Sequence, residues 1–286
     1  MLRTALAIAL ALFTFAAHAG QACTEKRLAP DEVRAALTLA LDVEQALDRA
    51  DAHVAIVARA GRDLTRYGLR YSHVAFAWRD HPRGAWTMVE ELNACGTATS
   101  ALFDDGFGDF FLDDMFAYEA AIVVPSPAVQ RRIGALLAAR AAGRLHEPRY
   151  NLVAYPWSTR YQNSNQWVLE ATAAALAEHE TGGRAEAQAW LRAQRFRPAT
   201  IHVFALERLG GELTRANVAF DDHPLDRRMA GAIDVVSAES VLAFVRRIDP
   251  GATTIVLSVG RPMAVPSAPA YDAPPPARQH PQGRTS

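Results

Sequence analysis

Two strand-like stretches joined by a short polar turn constrain the fold of this chain most strongly. Successive side chains of residues 71–78 point to opposite faces of a strand, with Val74, Phe76 and Trp78 on one face and His73, Ala75 and Ala77 on the other. Residues 80–84, Asp-His-Pro-Arg-Gly, form a turn, and residues 85–92 return as the partner strand. The sequence therefore predicts an antiparallel hairpin with a polar residue on each strand, His73 and Glu90.

Helix signals flank this hairpin on both sides. Pro30 followed by Asp31 and Glu32 starts a helix, because proline suits a first turn and acids suit its positive end. Apolar periodicity predicts further helices after Pro127 and at residues 163–177 and 184–195, and further strands at residues 53–58, 118–124 and 253–259. This mixture predicts an α+β fold in which helices pack on an antiparallel sheet.

The first residues have the pattern of an export signal. Arg3 supplies a positive charge, residues 5–16 are continuously apolar, and Ala17-His18-Ala19 matches a small-x-small cleavage site. We expect residues 1–19 to be removed and the mature protein to be periplasmic or secreted. No other apolar run is long enough to span a bilayer, so no integral membrane segment is expected after cleavage.

Composition divides the remaining chain into three parts. Residues 20–180 are predicted to form the α+β core, residues 181–260 a helical and β extension, and residues 261–286 a disordered proline-rich tail. The formal net charge is −1 and the arginines are scattered, which does not indicate a nucleic-acid partner.

The cysteine count suits an oxidising compartment. Cys23 and Cys95 are the only cysteines of the chain, and both follow the predicted cleavage site. A disulfide between them is the first interpretation. The alternative is that Cys95 is a free nucleophile.

An acidic, aromatic stretch at residues 104–114 raises the question of a metal site. Its acids lack the spacing of a calcium loop, so we predict no metal site and no cofactor. The phenylalanines of this stretch are predicted to dock a short helix while the carboxylates face water.

Three polar residues occur in an order that suits nucleophilic catalysis. His73 lies on one predicted strand, Glu90 lies on the next, and Ser164 lies at a helix start, where backbone N–H groups and the helix dipole favour an anion. A base, an orienting carboxylate and a nucleophile in these positions would form a catalytic triad. The alternatives are that Asn163 or Ser164 only caps the helix, and that Glu91 replaces Glu90.

This order resembles the circularly permuted branch of the NlpC-type papain fold, which includes lecithin retinol acyltransferase-like proteins. The resemblance rests on residues 71–76 (Tyr-Ser-His-Val-Ala-Phe), on Glu90 and on residues 163–168 (Asn-Ser-Asn-Gln-Trp-Val). It implies a papain-like sheet packed with helices. It also implies that four residues near the catalytic positions bind substrate, namely Tyr71, Asn163, Asn165 and Trp167. The family has cysteine where this chain has Ser164, and a hydroxyl is a weaker nucleophile than a thiol.

The whole chain also looks like a bacterial family of exported proteins of unknown activity, DUF2145. The similarity lies in residues 68–73 (Gly-Leu-Arg-Tyr-Ser-His), 91–96 (Glu-Leu-Asn-Ala-Cys-Gly), 161–167 (Tyr-Gln-Asn-Ser-Asn-Gln-Trp) and 234–237 (Asp-Val-Val-Ser). It implies no particular reaction.

The sequence supports three functional hypotheses. The first is an amidase, esterase or acyltransferase that acts on a cell-envelope substrate through Ser164, His73 and Glu90. The second is an inactive papain-like module that binds a peptide, glycan or lipid, because serine stands at the cysteine position. The third is a periplasmic structural or assembly protein attached through its tail.

Overall fold

The computed structural model describes residues 27–113, 115–177 and 182–260, and it has the predicted α+β fold. The helices of the described residues are α1 (Pro30–Arg49), α2 (Phe107–Phe111), α3 (Pro127–Ala138), α4 (Ser164–Leu176), α5 (Arg184–Ala193), α6 (Ala205–Thr214), α7 (Leu225–Met229) and α8 (Ala238–Ile248). The strands are β1 (Val54–Arg59), β2 (His73–Trp78), β3 (Thr87–Asn93), β4 (Ser100–Gly106), β5 (Glu119–Val124), β6 (Ala199–His202), β7 (Ala232–Val235) and β8 (Thr253–Ser258).

Six strands form one antiparallel sheet in the order β4-β3-β2-β1-β5-β8, and β6 pairs with β7 in a separate small sheet. The predicted hairpin is β2 and β3, which pair in antiparallel register. Every residue of β1, β2 and β5 is buried, because helices cover both faces of the sheet at these central strands.

The two faces of the six-stranded sheet, here called the main sheet, carry different helices. Ala75 and Ala77 of β2 pack with the apolar stripe of α1 and with the phenylalanines of α2. Val74 and Phe76 pack on the opposite face with α4 and α8. The α1–α2 face and the α4 face are therefore separate hydrophobic cores, divided by the sheet.

The residues after 182 share the core of the residues before it. Strand β8 pairs with β5 at the edge of the main sheet, while α5 and α8 pack against α4. The predicted signal segment 1–19 and the predicted tail 261–286 lie outside the described residues. None of the described helices is long and apolar enough to cross a membrane.

Strands β2 and β3 pair over only part of their length. Their register runs from Trp78 opposite Thr87 to Phe76 opposite Val89 and ends there. Beyond that point Asn165, in the first turn of α4, bonds to β2, since its Oδ1 accepts a 3.0 Å hydrogen bond from the Val74 N–H. The first turn of α4 is thereby held against the open end of the hairpin.

Candidate functional site

His73 and Glu90 form a hydrogen-bonded pair between the main sheet and α2. His73 Nε2 lies 2.5 Å from Glu90 Oε2, and the residues are 8% and 2% exposed. Both side chains lie on the α1–α2 face, because His73 alternates with Val74 and Glu90 lies next to Val89 of the other face. His73 Nδ1 has no hydrogen-bond partner in the described residues, and the His73 side chain is 11% exposed.

Arg59 holds α2 over this pair. It lies directly opposite His73 in the β1–β2 register. Its Nη1 donates to the Phe110 carbonyl oxygen, its Nη2 lies 2.9 Å from Asp113 Oδ2, and its guanidinium lies 4.8 Å from the Phe110 ring centroid. The Phe110 ring is in turn 5.8 Å from the His73 imidazole. Sequence reasoning missed Arg59, although a charged residue that ends a buried strand beside the histidine strand was a usable signal.

The surroundings of the pair are acidic on the β4 side. Asp105 lies opposite Met88 in the β3–β4 register and so shares the face of Glu90. Burial raises the pKa of Asp105, and the negative charges of Glu90 and Asp109 raise it further. Among the described residues, no group of three or more His, Cys, Asp and Glu side chains is arranged to hold a metal ion.

Ser164 begins α4 as predicted, and its neighbour caps the helix. Asn163 Oδ1 accepts a 2.8 Å hydrogen bond from the Gln166 N–H, which makes Asn163 the N-cap residue. The Ser164 hydroxyl donates to the Tyr150 hydroxyl at 3.4 Å, and both residues are buried. Burial also raises the pKa of Tyr150 to about 12, so this phenol stays protonated near neutral pH.

The predicted triad of Ser164, His73 and Glu90 is not assembled. His73 points to the α1–α2 face, whereas α4 and its Ser164 pack on the opposite face of the main sheet. Hydrogen bonds join His73 to Glu90 and Ser164 to Tyr150, and none joins the histidine to the serine. The structure brings His73 and Glu90 together, but the sequence pattern did not establish which face of the main sheet α4 covers.

The same alternation places Glu90 and Glu91 on opposite faces of the main sheet. Glu90 pairs with His73, while Glu91 lies on the α4 face with no exposed surface. Among the described residues, no hydrogen bond of ordinary geometry reaches either carboxyl oxygen of Glu91, although the Ser100 hydroxyl lies nearby. Burial raises the pKa of Glu91 to about 8, an effect that the nearby Ser100 hydroxyl and the Arg184 charge partly offset.

The four residues predicted to bind substrate are engaged within the protein. Asn163 and Asn165 have the capping and strand-bridging roles given above. Trp167 is fully buried, packs edge-on against Phe76 at 5.8 Å and donates to a backbone carbonyl. The Tyr71 hydroxyl donates to Glu119 Oε1 at 2.6 Å. Contact of these residues with a ligand remains a prediction.

A buried polar network behind Ser164 was not predicted. Glu170 has no exposed surface, and Arg184 Nε donates to its Oε2 at 2.7 Å. Three glutamines also donate to this carboxylate, namely Gln162, Gln166 and Gln188. The network ties α4 to α5 and to the loop that precedes α4. A glutamate within the apolar part of a predicted helix, four residues after Gln166, was the signal available in the sequence.

Cys95 lies in the turn between β3 and β4, and its predicted partner Cys23 lies outside the described residues. No cysteine in the described part of the chain is free, which argues against Cys95 as a nucleophile. The pairing of Cys95 with Cys23 remains a prediction.

Comparison with known proteins places the chain in a family. The model of a family described as uncharacterized protein conserved in bacteria, DUF2145, matches residues 46–245. The chain belongs to DUF2145. This match covers His73, Glu90 and Ser164, and it extends from α1 to α8. No curated protein and no solved structure matches the chain. The similarity to the NlpC-type fold therefore rests on the sequence motifs alone.

Proposed function

We propose that this DUF2145 protein is a cell-envelope hydrolase that cleaves an ester or amide bond with His73 as its general base. Support comes from the 2.5 Å contact between His73 Nε2 and Glu90 Oε2, together with an imidazole whose Nδ1 has no hydrogen-bond partner among the described residues. The envelope location follows from the predicted export signal.

The chemistry requires one tautomer of the imidazole. When Nε2–H donates to the buried Glu90 carboxylate, Nδ1 carries the lone pair and can accept a proton. A water molecule at Nδ1 loses its proton to the imidazole as its oxygen adds to the carbonyl carbon. The imidazolium then returns the proton to the leaving alcohol or amine as the acyl bond breaks. Glu90 stabilises the imidazolium and keeps the ring in place.

The charges around His73 affect which substrate charge the site favours. The carboxyl groups of Glu90, Asp104, Asp105 and Asp109 outnumber the guanidiniums of Arg83 and of Arg59, which is already bonded to α2. A neutral or cationic acyl compound is therefore favoured over an anionic one.

The test is hydrolysis of a panel of neutral, cationic and anionic p-nitrophenyl esters and anilides by the purified full chain. We expect His73→Ala and Glu90→Gln to lower kcat/KM by about 10²-fold or more, the contribution typical of a general base. His202→Ala, at an exposed position of β6, is the matched control and should leave the rate unchanged. A wild-type rate that both site variants retain would contradict the proposal.

A second candidate is an inactive binding module, and the burial of both halves of the predicted triad favours it. His73 is 8% exposed under α2, and Ser164 is 6% exposed beside Tyr150. In that case wild type and variants show the same absence of turnover on every substrate of the panel.

A further inference from the structure

Helices α6 and α7 border an open groove away from the His73 site. The groove has a volume of about 260 Å³, and it is called the α6–α7 groove below. Its lining combines the apolar side chains of Leu209, Phe220, Leu225 and Met229 with two arginines and one acid, Arg208, Arg228 and Glu212.

The apolar side chains around this groove are unusually exposed. Among the lining residues Leu209 is 55%, Leu225 is 64% and Met229 is 76% exposed. Leu225 and Met229 are four residues apart and form a stripe along α7, the pattern that normally faces a core. Contiguous exposed apolar surface of this kind marks an interaction site.

The groove also contains an unsatisfied donor. Arg228 Nε is buried and has no hydrogen-bond partner among the described residues. Arg208 lies in the same groove and donates one hydrogen bond, to the Val203 carbonyl oxygen at 3.0 Å. Because a buried donor is costly to leave unpaired, an occupant with an acceptor, best a carboxylate, suits this position.

Residues 261–286 of the same chain have matching chemistry. This segment contains Met263, Val265 and Tyr271 among its prolines, and Asp272 is its only acidic residue. Tyr271 and Asp272 are adjacent, so one aromatic ring and one carboxylate can enter a single groove together.

A series of contacts connects the start of this segment to the groove. The Val259 N–H bonds to the Tyr118 carbonyl oxygen, and the neighbouring Glu119 bonds to Tyr71. Leu69, two residues before Tyr71, packs in one cluster with Phe220 of the groove. The eleven residue steps from Gly260 to Tyr271 can span about 35 Å when extended, about twice the radius of gyration of a domain of this size.

We propose that the chain's own C-terminal segment occupies the α6–α7 groove, with Tyr271 against the apolar lining and the Asp272 carboxylate paired with Arg228. This contact covers the exposed stripe of α7 and satisfies the buried guanidinium nitrogen. It is independent of the reaction proposed for His73.

Hydrogen exchange of the full chain tests this contact. In wild type the amides of α6 and α7 should be protected, and Tyr271→Ala/Asp272→Ala should speed their exchange about tenfold or more through local opening. Gln279→Ala/His280→Ala, a double substitution in the same segment away from the pair, is the control and should leave the exchange unchanged. The measurement is repeated at low and high protein concentration.

Each outcome decides the proposal. Protection that depends on Tyr271 and Asp272 and does not change with concentration supports it. Protection that rises with concentration identifies a second copy of the chain as the occupant and overturns it. Equal exchange in wild type and in the Tyr271→Ala/Asp272→Ala variant also overturns it, because the groove is then uncovered or covered by something else.

Discussion

Glu90 and Glu91 are consecutive residues of β3, yet their carboxyl groups lie on opposite faces of the main sheet. Glu90 is hydrogen-bonded to His73 under α2, whereas Glu91 is buried on the α4 face, where the described residues offer it no hydrogen bond of ordinary geometry. The Glu90 carboxyl group is therefore hydrogen-bonded to a histidine, whereas burial keeps the Glu91 carboxyl group protonated near neutral pH. This difference gives the two glutamates different roles in stability and in chemistry.

Glu91 should make the protein less stable as the pH rises. Its pKa is raised from 4.5 to about 8, so the folded protein keeps a proton that the unfolded chain has already lost. The stabilisation is complete below pH 4.5 and is lost as the pH rises through about 8. It amounts to a few kcal/mol, because each pH unit between the folded and unfolded pKa values corresponds to about 1.4 kcal/mol.

Glu91→Gln removes this dependence, since the amide does not ionise. We expect the variant to have a higher Tm than wild type at pH 9, and the difference to shrink towards pH 5. Asp51→Asn, at a side chain that is 91% exposed, is the control and should show no such pH-dependent difference in Tm. The same Tm difference between wild type and Glu91→Gln at pH 5 and at pH 9 would count against a neutral buried carboxyl group.

Arg184 should be needed to keep Glu170 inside the protein. Arg184→Met leaves a fully buried carboxylate without its cation, which typically costs about 3–5 kcal/mol. Adding Glu170→Gln to this variant should recover much of the loss, because no unpaired charge then remains. Chemical denaturation of the single and double variants measures both effects. Arg192→Met, on the exposed side of the same helix, should change stability by less than about 1 kcal/mol.

The predicted disulfide is tested by peptide mapping of the exported protein without reduction. We expect a Cys23–Cys95 peptide pair that disappears after reduction. The bond closes a loop of about 70 residues, worth about 4 kcal/mol in the chain-entropy model, so Cys95→Ala should lower the free energy of unfolding markedly. A free thiol at Cys95 in the exported protein would refute the pairing.

Much of the sheet could be predicted because strand alternation is a local property. The period of two along residues 71–78 predicted that His73 shares a face with Ala75 and Ala77, and both alanines do lie in the α1–α2 core. The hairpin turn placed Glu90 on the neighbouring strand, and the two side chains do meet. That part of the prediction was possible because the residues concerned lie within about twenty positions of each other in the sequence.

The position of Ser164 could not be derived in this way. The start of α4 was predicted correctly, but the face of the sheet that α4 covers depends on long-range packing. The order of the predicted triad came from resemblance to another fold. That resemblance did not indicate on which face of the main sheet α4 would pack in this chain. The contact of Glu170 with Arg184 was missed for the same reason, since it depends on how α5 packs against α4.

Comparing Ser164→Ala with His73→Ala tests whether His73 acts as the general base without Ser164. The comparison is made on the panel substrate that wild type hydrolyses fastest, with kcat/KM measured for the full chain. The structure separates the serine from the base, so Ser164→Ala should stay within about threefold of wild type, whereas His73→Ala should fall by about 10²-fold or more. Loss of activity in Ser164→Ala of the size expected for His73→Ala would contradict the account, because it would require the triad to assemble.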